Sequence, residues 1–127
     1  MYEHILQILH ASEIVTEAEL IELDVYGVDQ FRAKIHGKLT TPWRILIWLN
    51  HNPRHTRYAY QLLEGNRAVL RWDNAPHHPE MKENFPHHFH TETGEIAASP
   101  LTGKPLEDIP RVLQIVKNFL AEHSYAR

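Results

Sequence analysis

Five histidines fall within the short segment 77–90 of this sequence. They are His77, His78, His87, His88 and His90. Imidazole has an unperturbed pKa of about 6.5, so histidine is the side chain best suited to proton transfer or metal binding near neutral pH. Three nearby prolines argue against a helix or a central strand here: Pro76, Pro79 and Pro86. We therefore predict a long histidine- and proline-rich loop that carries the chemistry of this protein.

The first candidate chemistry is metal-independent cleavage of RNA. One imidazole would take the proton of a ribose 2′-hydroxyl, and a second would protonate the leaving 5′-oxygen. In this hypothesis the catalytic residues are His77, His78, His88, His90 and Asp73. The reaction needs no cofactor, but a cation must stabilise the charge on the phosphate, and Arg71 or Arg57 would supply it.

The second candidate chemistry is a site for a divalent metal ion such as zinc. His88 and His90 alternate onto one face if their segment is extended, and this spacing suits two ligands of one ion. The candidates for the remaining ligands are His77, His78, Glu80 and Asp73. In this hypothesis the protein is a non-enzymatic domain that binds a metal or a protein partner through the loop.

A third interpretation gives the loop a structural role only. The imidazoles would then hold the loop in place by hydrogen bonds to backbone carbonyls. Asp73 and Asn74 fit this interpretation because Asx side chains commonly end a strand and fix the following turn. The sequence leaves all three interpretations open.

Charge is distributed unevenly along the chain. Residues 1–31 contain seven acidic side chains and no Lys or Arg, whereas the residues that follow are mainly basic. Several cations share one predicted strand face with Trp48, which would stack a nucleobase. The substrate-binding candidates are Arg71, Arg57, Arg44, Trp48, Asn74 and His87. A solvated strand face explains the same row without any ligand.

The elements that position these residues follow from hydrophobic periodicity. Apolar residues at helical spacing predict an N-terminal helix over 2–11 and a C-terminal helix over 106–123. Alternating patterns predict strands over 20–25, 31–35, 43–49, 56–63 and 67–73. No segment offers a parallel crossover, so we predict an α+β fold, a five-stranded antiparallel β-meander flanked by the two helices. The tail of the loop, 85–90, is a candidate for a short edge strand.

The register of the first hairpin can be proposed from charge and hydrophobicity together. Opposite charges face each other on the outer side if Asp24 pairs with Arg32 and Glu22 pairs with Lys34. The same register sends three apolar pairs to the core: Val25 with Phe31, Leu23 with Ala33 and Ile21 with Ile35. Part of the charge asymmetry is therefore expected to be structural.

Length and composition limit the possible classes of protein. A chain of 127 residues, 43% of them hydrophobic, suits a single domain spanning 1–127. The absence of cysteine excludes disulfides, cysteine-ligated zinc and thiol nucleophiles. No apolar run approaches the ~20 residues of a membrane helix, and the first residues do not resemble a signal peptide. We expect a cytoplasmic protein with no membrane partner.

The histidine-rich segment resembles the signature of a known family. Its motif residues are Asp73, Asn74, His77 and His78, followed after a spacer by His87, His88 and His90. This pattern is similar to that of the TumE toxins of type II toxin–antitoxin modules. The strands before it and the closing helix are also similar, so the resemblance covers residues 5–120.

The resemblance implies a small toxin that is held by a helix-turn-helix antitoxin and acts on RNA or translation. It assigns no catalytic residues, and self-association into a homo-oligomer stays open. Phe89 stands where the family pattern has lysine between the last two histidines. Loss of that cation would move a phosphate contact from the loop to Arg71 and its neighbours.

Overall fold

The computed structural model describes residues 1–124 and confirms the α+β class. The helices are α1 (Tyr2–Ala11) and α2 (Pro105–Ser124). The strands are β1 (Glu17–Gly27), β2 (Gln30–Lys38), β3 (Trp43–Asn52), β4 (His55–Glu64), β5 (Arg67–Asp73), β6 (His88–His90) and β7 (Ile96–Ala98). They form one antiparallel sheet in sequence order. The predicted positions of both helices and of the first five strands agree with this order.

The prediction of five strands is wrong, because the loop contains β6 and β7 as well. Each has only three residues, too few for an alternating pattern to stand out in the sequence. The candidate edge strand over 85–90 is therefore shorter than expected, and it is not at the edge. It pairs with β5 on one side and with β7 on the other.

The predicted register of the first hairpin is correct only near its turn. Glu22 pairs with Lys34 and Asp24 with Arg32, but a bulge follows and Ile35 faces Leu20 instead of Ile21. Ile21 is 47% exposed and Val25 is 61% exposed, so the predicted place of both in the core is wrong. Val25 keeps its predicted partner, Phe31, whereas the bulge moves Ile21 out of register. An extra residue in one strand moves every later side chain to the other face, and no sequence pattern marks that residue here.

One face of the sheet packs against both helices and forms the core. Ile5 and Leu9 of α1 and Val112 and Val116 of α2 are buried against this face. Trp72 of β5 is among the largest fully buried side chains. Alternate residues of the strands point away from the helices, and we call this second side the open face.

His123, near the end of α2, ties this helix to the turn between β6 and β7. Its Nδ1 lies 2.8 Å from the carbonyl oxygen of Phe119, and its Nε2 lies 2.9 Å from Oε2 of Glu92. Both partners are acceptors, so the hydrogen bond to Phe119 and the charge of Glu92 raise the pKa of His123. The contact therefore contributes stability below the unfolded pKa of about 6.5 and loses it as the pH rises through the folded pKa.

We expect His123→Gln to lower the melting temperature more at pH 6 than at pH 8.5, because only the charged imidazole makes both bonds well. Thermal unfolding of both proteins at the two pH values measures the difference. His4→Gln, which changes an exposed histidine of α1, is the control. A decrease that is equal at both pH values would contradict this account of His123.

Candidate active site

The pairing of β5 with β6 brings the two ends of the histidine-rich segment together. Asp73 is the register partner of His88, and Arg71 is the register partner of His90. Directly opposed residues of antiparallel strands have their Cβ atoms about 5 Å apart on the same side of the sheet. All four side chains therefore lie next to each other on the open face.

The carboxylate of Asp73 is the centre of this group. Nε2 of His88 lies 3.0 Å from Oδ1, and Nε2 of His90 lies 3.4 Å from Oδ2. Nε of Arg71 donates to Oδ2 at 2.8 Å, and the backbone N–H of Ala75 donates to Oδ1 at 3.0 Å. The side chain of Asp73 is only 5% exposed, so water does not replace these contacts.

A third histidine reaches the same place from the loop. The ring centroid of His78 lies 4.9 Å from that of His88 and 6.0 Å from that of His90. Its Nδ1 lies 3.2 Å from Oε1 of Glu80, which is exposed. We call His78, His88 and His90 the three-histidine cluster.

The charges of the site favour an ionised aspartate next to a neutral imidazole. Burial raises the pKa of Asp73, but the hydrogen bonds from Arg71 and Ala75 outweigh it, and the pKa lies below its usual value. Burial lowers the pKa of His90, and the charge of Asp73 only partly offsets this effect. The lowered pKa of His90 favours its neutral form, in which one ring nitrogen carries a proton and the other can accept one.

His88 is the most enclosed member of the cluster, and both of its ring nitrogens face acceptors. Nδ1 lies 3.1 Å from the carbonyl oxygen of Pro86, and Nε2 faces the carboxylate of Asp73. A neutral imidazole carries only one N–H, so it cannot donate to both.

His77 and His87 do not join the cluster. His77 is exposed in the loop. His87 lies on the core side of the sheet, where its Nδ1 is 2.8 Å from the hydroxyl of Tyr58 and the two rings stack. Its ring packs so closely on Gly103 that a Cβ there would lie 3.0 Å from Cε1 of His87.

Asn74 and Arg44 make contacts within the protein, away from the cluster. Asn74 is buried, and its side chain accepts from the N–H of Tyr58 and donates to the carbonyl of Thr56. Arg44 lies at the far end of β3, where it donates to the carbonyl of Gly65 in the β4–β5 turn. Both substrate-binding candidates therefore have structural partners.

Trp48 and Arg57 lie on the open face together with the cluster. Asp73 pairs with Ala59, and Ala59 pairs with Trp48 on the next strand. The backbones of Trp48 and Asp73 are thus two strand spacings, about 10 Å, apart. Ala59, which is 6% exposed, lies between them. Sequence reasoning missed Ala59, which only the register identifies.

Phe89 lies on the opposite face from its neighbours in β6. Its ring stacks on Trp72 with the centroids 5.0 Å apart, and it packs against the core. The expectation that Phe89 removes a phosphate contact from the loop is therefore not supported by its position. A side chain at this place points away from His88 and His90.

The cluster also has the composition of a metal site. One ligand atom from each of its three histidines lies within 4.8 Å of the other two. The members are His78, His88 and His90. His77, Glu80 and Asp73, which the sequence also suggested, are not part of this group. Glu80 contacts the ring of His78 instead.

Comparison with known proteins finds one family model that matches most of the chain. The family model described as Toxin TumE matches residues 5–123. The chain therefore belongs to the TumE toxin family, and it is a toxin of a toxin–antitoxin module with an antitoxin as its partner. No curated protein and no solved structure matches the sequence significantly. Among the described residues, no helix has the length and hydropathy needed to span a membrane.

Proposed function

We propose that this toxin is a ribonuclease whose active site is the three-histidine cluster. The observation that carries the proposal is the convergence of three imidazoles on the carboxylate of Asp73, beside Arg71, on the open face. Two imidazoles close to one cation are the groups that cleavage of RNA by its own 2′-hydroxyl requires. Membership of a toxin family supports an activity that is harmful to the cell.

In the proposed reaction His90 is the general base. Its Nε2 faces Asp73, which leaves Nδ1 to take the proton of the 2′-hydroxyl. The 2′-oxygen attacks phosphorus, and the bond from phosphorus to the 5′-oxygen breaks. His78 gives its proton to that oxygen, so the products carry a 2′,3′-cyclic phosphate and a 5′-hydroxyl. The ring centroids of the two histidines are 6.0 Å apart, so both rings would reach one phosphodiester group bound beside them.

Three groups have supporting roles in this proposal. Asp73 orients His90, and His88 helps to hold Asp73 in place from the other side. Arg71 donates to Asp73 through Nε only, and its side chain is 41% exposed, so its terminal nitrogens can contact the phosphate. A guanidinium in this position stabilises the charge that develops in the transition state.

The open face supplies a path for the rest of the RNA. Trp48 is partly exposed about 10 Å from Asp73, and stacking of a base on an aromatic ring is common in recognition of single-stranded RNA. Arg57 is exposed on the neighbouring strand and adds positive charge to this face. The partner in the proposal is a helix-turn-helix antitoxin, as the family resemblance implies.

The proposal predicts cleavage of single-stranded RNA in the presence of excess chelator. The same oligonucleotide with 2′-O-methyl groups at every position should stay intact, because it has no 2′-hydroxyl to attack phosphorus. Mass spectrometry of the products should find cyclic phosphate ends. Absence of cleavage of any RNA, or cleavage of the methylated oligonucleotide at the same rate, would refute the mechanism.

A further inference from the structure

We infer that the three-histidine cluster and Asp73 together form a binding site for one divalent transition-metal ion, such as zinc, and that the bound ion inhibits the nuclease. The second half of this inference depends on the proposed function, and the first half does not. His78, His88 and His90 would be the nitrogen ligands. Asp73, whose Oδ1 lies 3.0 Å from Nε2 of His88, would be the oxygen ligand.

The distances around Asp73 fit such an ion. Zinc binds histidine nitrogen at about 2.0 Å and carboxylate oxygen at about 2.1 Å, so two ligand atoms of a tetrahedral site lie roughly 3.3 Å apart. Nε2 of His88 lies 3.0 Å from Oδ1 of Asp73, and Nε2 of His90 lies 3.4 Å from Oδ2. Each of these nitrogens therefore has one oxygen of Asp73 at about the spacing of two ligands in a tetrahedral site.

The surroundings of His88 supply a second, independent observation. Its Nδ1 lies 3.1 Å from the carbonyl of Pro86, a contact of the kind that orients the ring of many metal-binding histidines. Its Nε2 faces Asp73, 3.0 Å from Oδ1, and the two side chains are only 4% and 5% exposed. An ion between these two atoms would have one nitrogen and one oxygen ligand from groups that are shielded from water.

The third nitrogen ligand, His78, lies in the loop between β5 and β6 and not in a strand. Ligand atoms of the three histidines spread over up to 4.8 Å, which is wider than the roughly 3.3 Å of a closed tetrahedral site. His88 and His90 are fixed in β6, whereas His78 lies in the loop and is held by the exposed Glu80. A movement of the His78 ring by about 1.5 Å, the difference between these two spacings, would close the site.

An ion bound in this way would compete with catalysis. The proposed reaction uses a lone pair of His90 and a proton of His78, and coordination takes the lone pairs of both rings. Arg71 keeps its bond to Asp73 and its positive charge opposes a second cation, so binding should be reversible by a strong chelator. Inhibition should saturate at one ion per chain.

Cobalt titration of chelator-treated protein without a histidine tag tests the site directly. We expect one Co²⁺ per chain, with the strong visible absorption of four-coordinate cobalt, and displacement by Zn²⁺. His78→Ala should weaken the affinity for Co²⁺ by about 10-fold or more. Loss of a residue that only hydrogen-bonds to a metal ligand already weakens binding by about that factor, so loss of a ligand should weaken it at least as much. His77→Ala, one residue away, should leave the titration unchanged.

Two results would overturn the metal site: no uptake of Co²⁺ by the wild-type protein, or equal loss of affinity in the His77 and His78 variants. His78 is partly exposed in a loop, so its replacement should not prevent folding, and circular dichroism checks this. Zn²⁺ should also stop RNA cleavage over the same concentration range as it binds, and excess chelator should restore it. Cobalt binding without any RNA cleavage would refute the ribonuclease proposal and support the metal site. RNA cleavage without cobalt binding would support the ribonuclease proposal and refute the metal site.

Discussion

Replacement of His90 by alanine should abolish RNA cleavage while leaving the protein folded. Loss of a general base typically slows a reaction by about 10²- to 10⁴-fold. The side chain of His90 is 31% exposed, and its contact with Asp73 is only one of four that hold the carboxylate. We therefore expect a large decrease in kcat with little change in the free energy of unfolding.

His77→Ala is the matched control for this experiment, since it removes an imidazole from the same loop without touching the cluster. Both variants should be assayed in chelator, so that a bound metal ion cannot affect the comparison, and their denaturant midpoints should be measured alongside. A His90→Ala protein that cleaves RNA at the wild-type rate would exclude His90 as the base. If kcat decreases equally in His90→Ala and His77→Ala, cleavage depends on the loop as a whole and not on the imidazole of His90.

The core strands could be predicted because each has a long alternating pattern. The predicted limits of β5, 67–73, agree with the structure, because a short run of mainly apolar residues follows the Gly65 turn. The bulge at Ile21 is not predictable, because Leu20 and Ile21 are both apolar and either one suits the core. In the structure Leu20 is the partner of Ile35, and Ile21 is exposed.

The candidate site was predictable in composition but not in arrangement. The spacing of His88 and His90 places them on one face of an extended segment, and they lie on one face in β6. The choice between His77 and His78 could not be made, because a loop rich in proline has no periodicity that orients side chains. The central position of Asp73 depends on the pairing of β5 with a strand of three residues, a long-range contact that local sequence does not encode.

The histidines of the motif have two different roles, and the role of each depends on the face of the sheet on which it lies. His87 and His88 are adjacent, yet His87 stacks on Tyr58 in the core and His88 contacts Asp73 on the open face. Burial, with a smaller contribution from the charge of Asp108, raises the pKa of Tyr58, so its hydroxyl keeps the proton that it donates to His87. Part of the histidine-rich motif thus anchors the loop, while the rest forms the cluster.

Asn74 should be the residue of the motif whose loss costs most in stability. Its side chain continues the pairing between the ends of β4 and β5, since it accepts from the N–H of Tyr58 at 3.0 Å and donates to the carbonyl of Thr56 at 2.8 Å. Asn74→Ala removes both bonds from a place that is only 4% exposed. An unsatisfied buried group costs about 1–3 kcal/mol, so we expect a loss of about 3 kcal/mol.

Urea unfolding of Asn74→Ala beside Asn50→Ala measures this loss, because Asn50 is an exposed asparagine of β3 whose replacement should change stability by less than about 0.5 kcal/mol. Asp73 directly precedes Asn74, so the variant should also lose RNA cleavage at temperatures where it is still folded. A stable Asn74→Ala protein with a raised KM and an unchanged kcat would instead mean that this side chain contacts RNA. The cluster on the open face would then depend on β5 and β6 alone for its position.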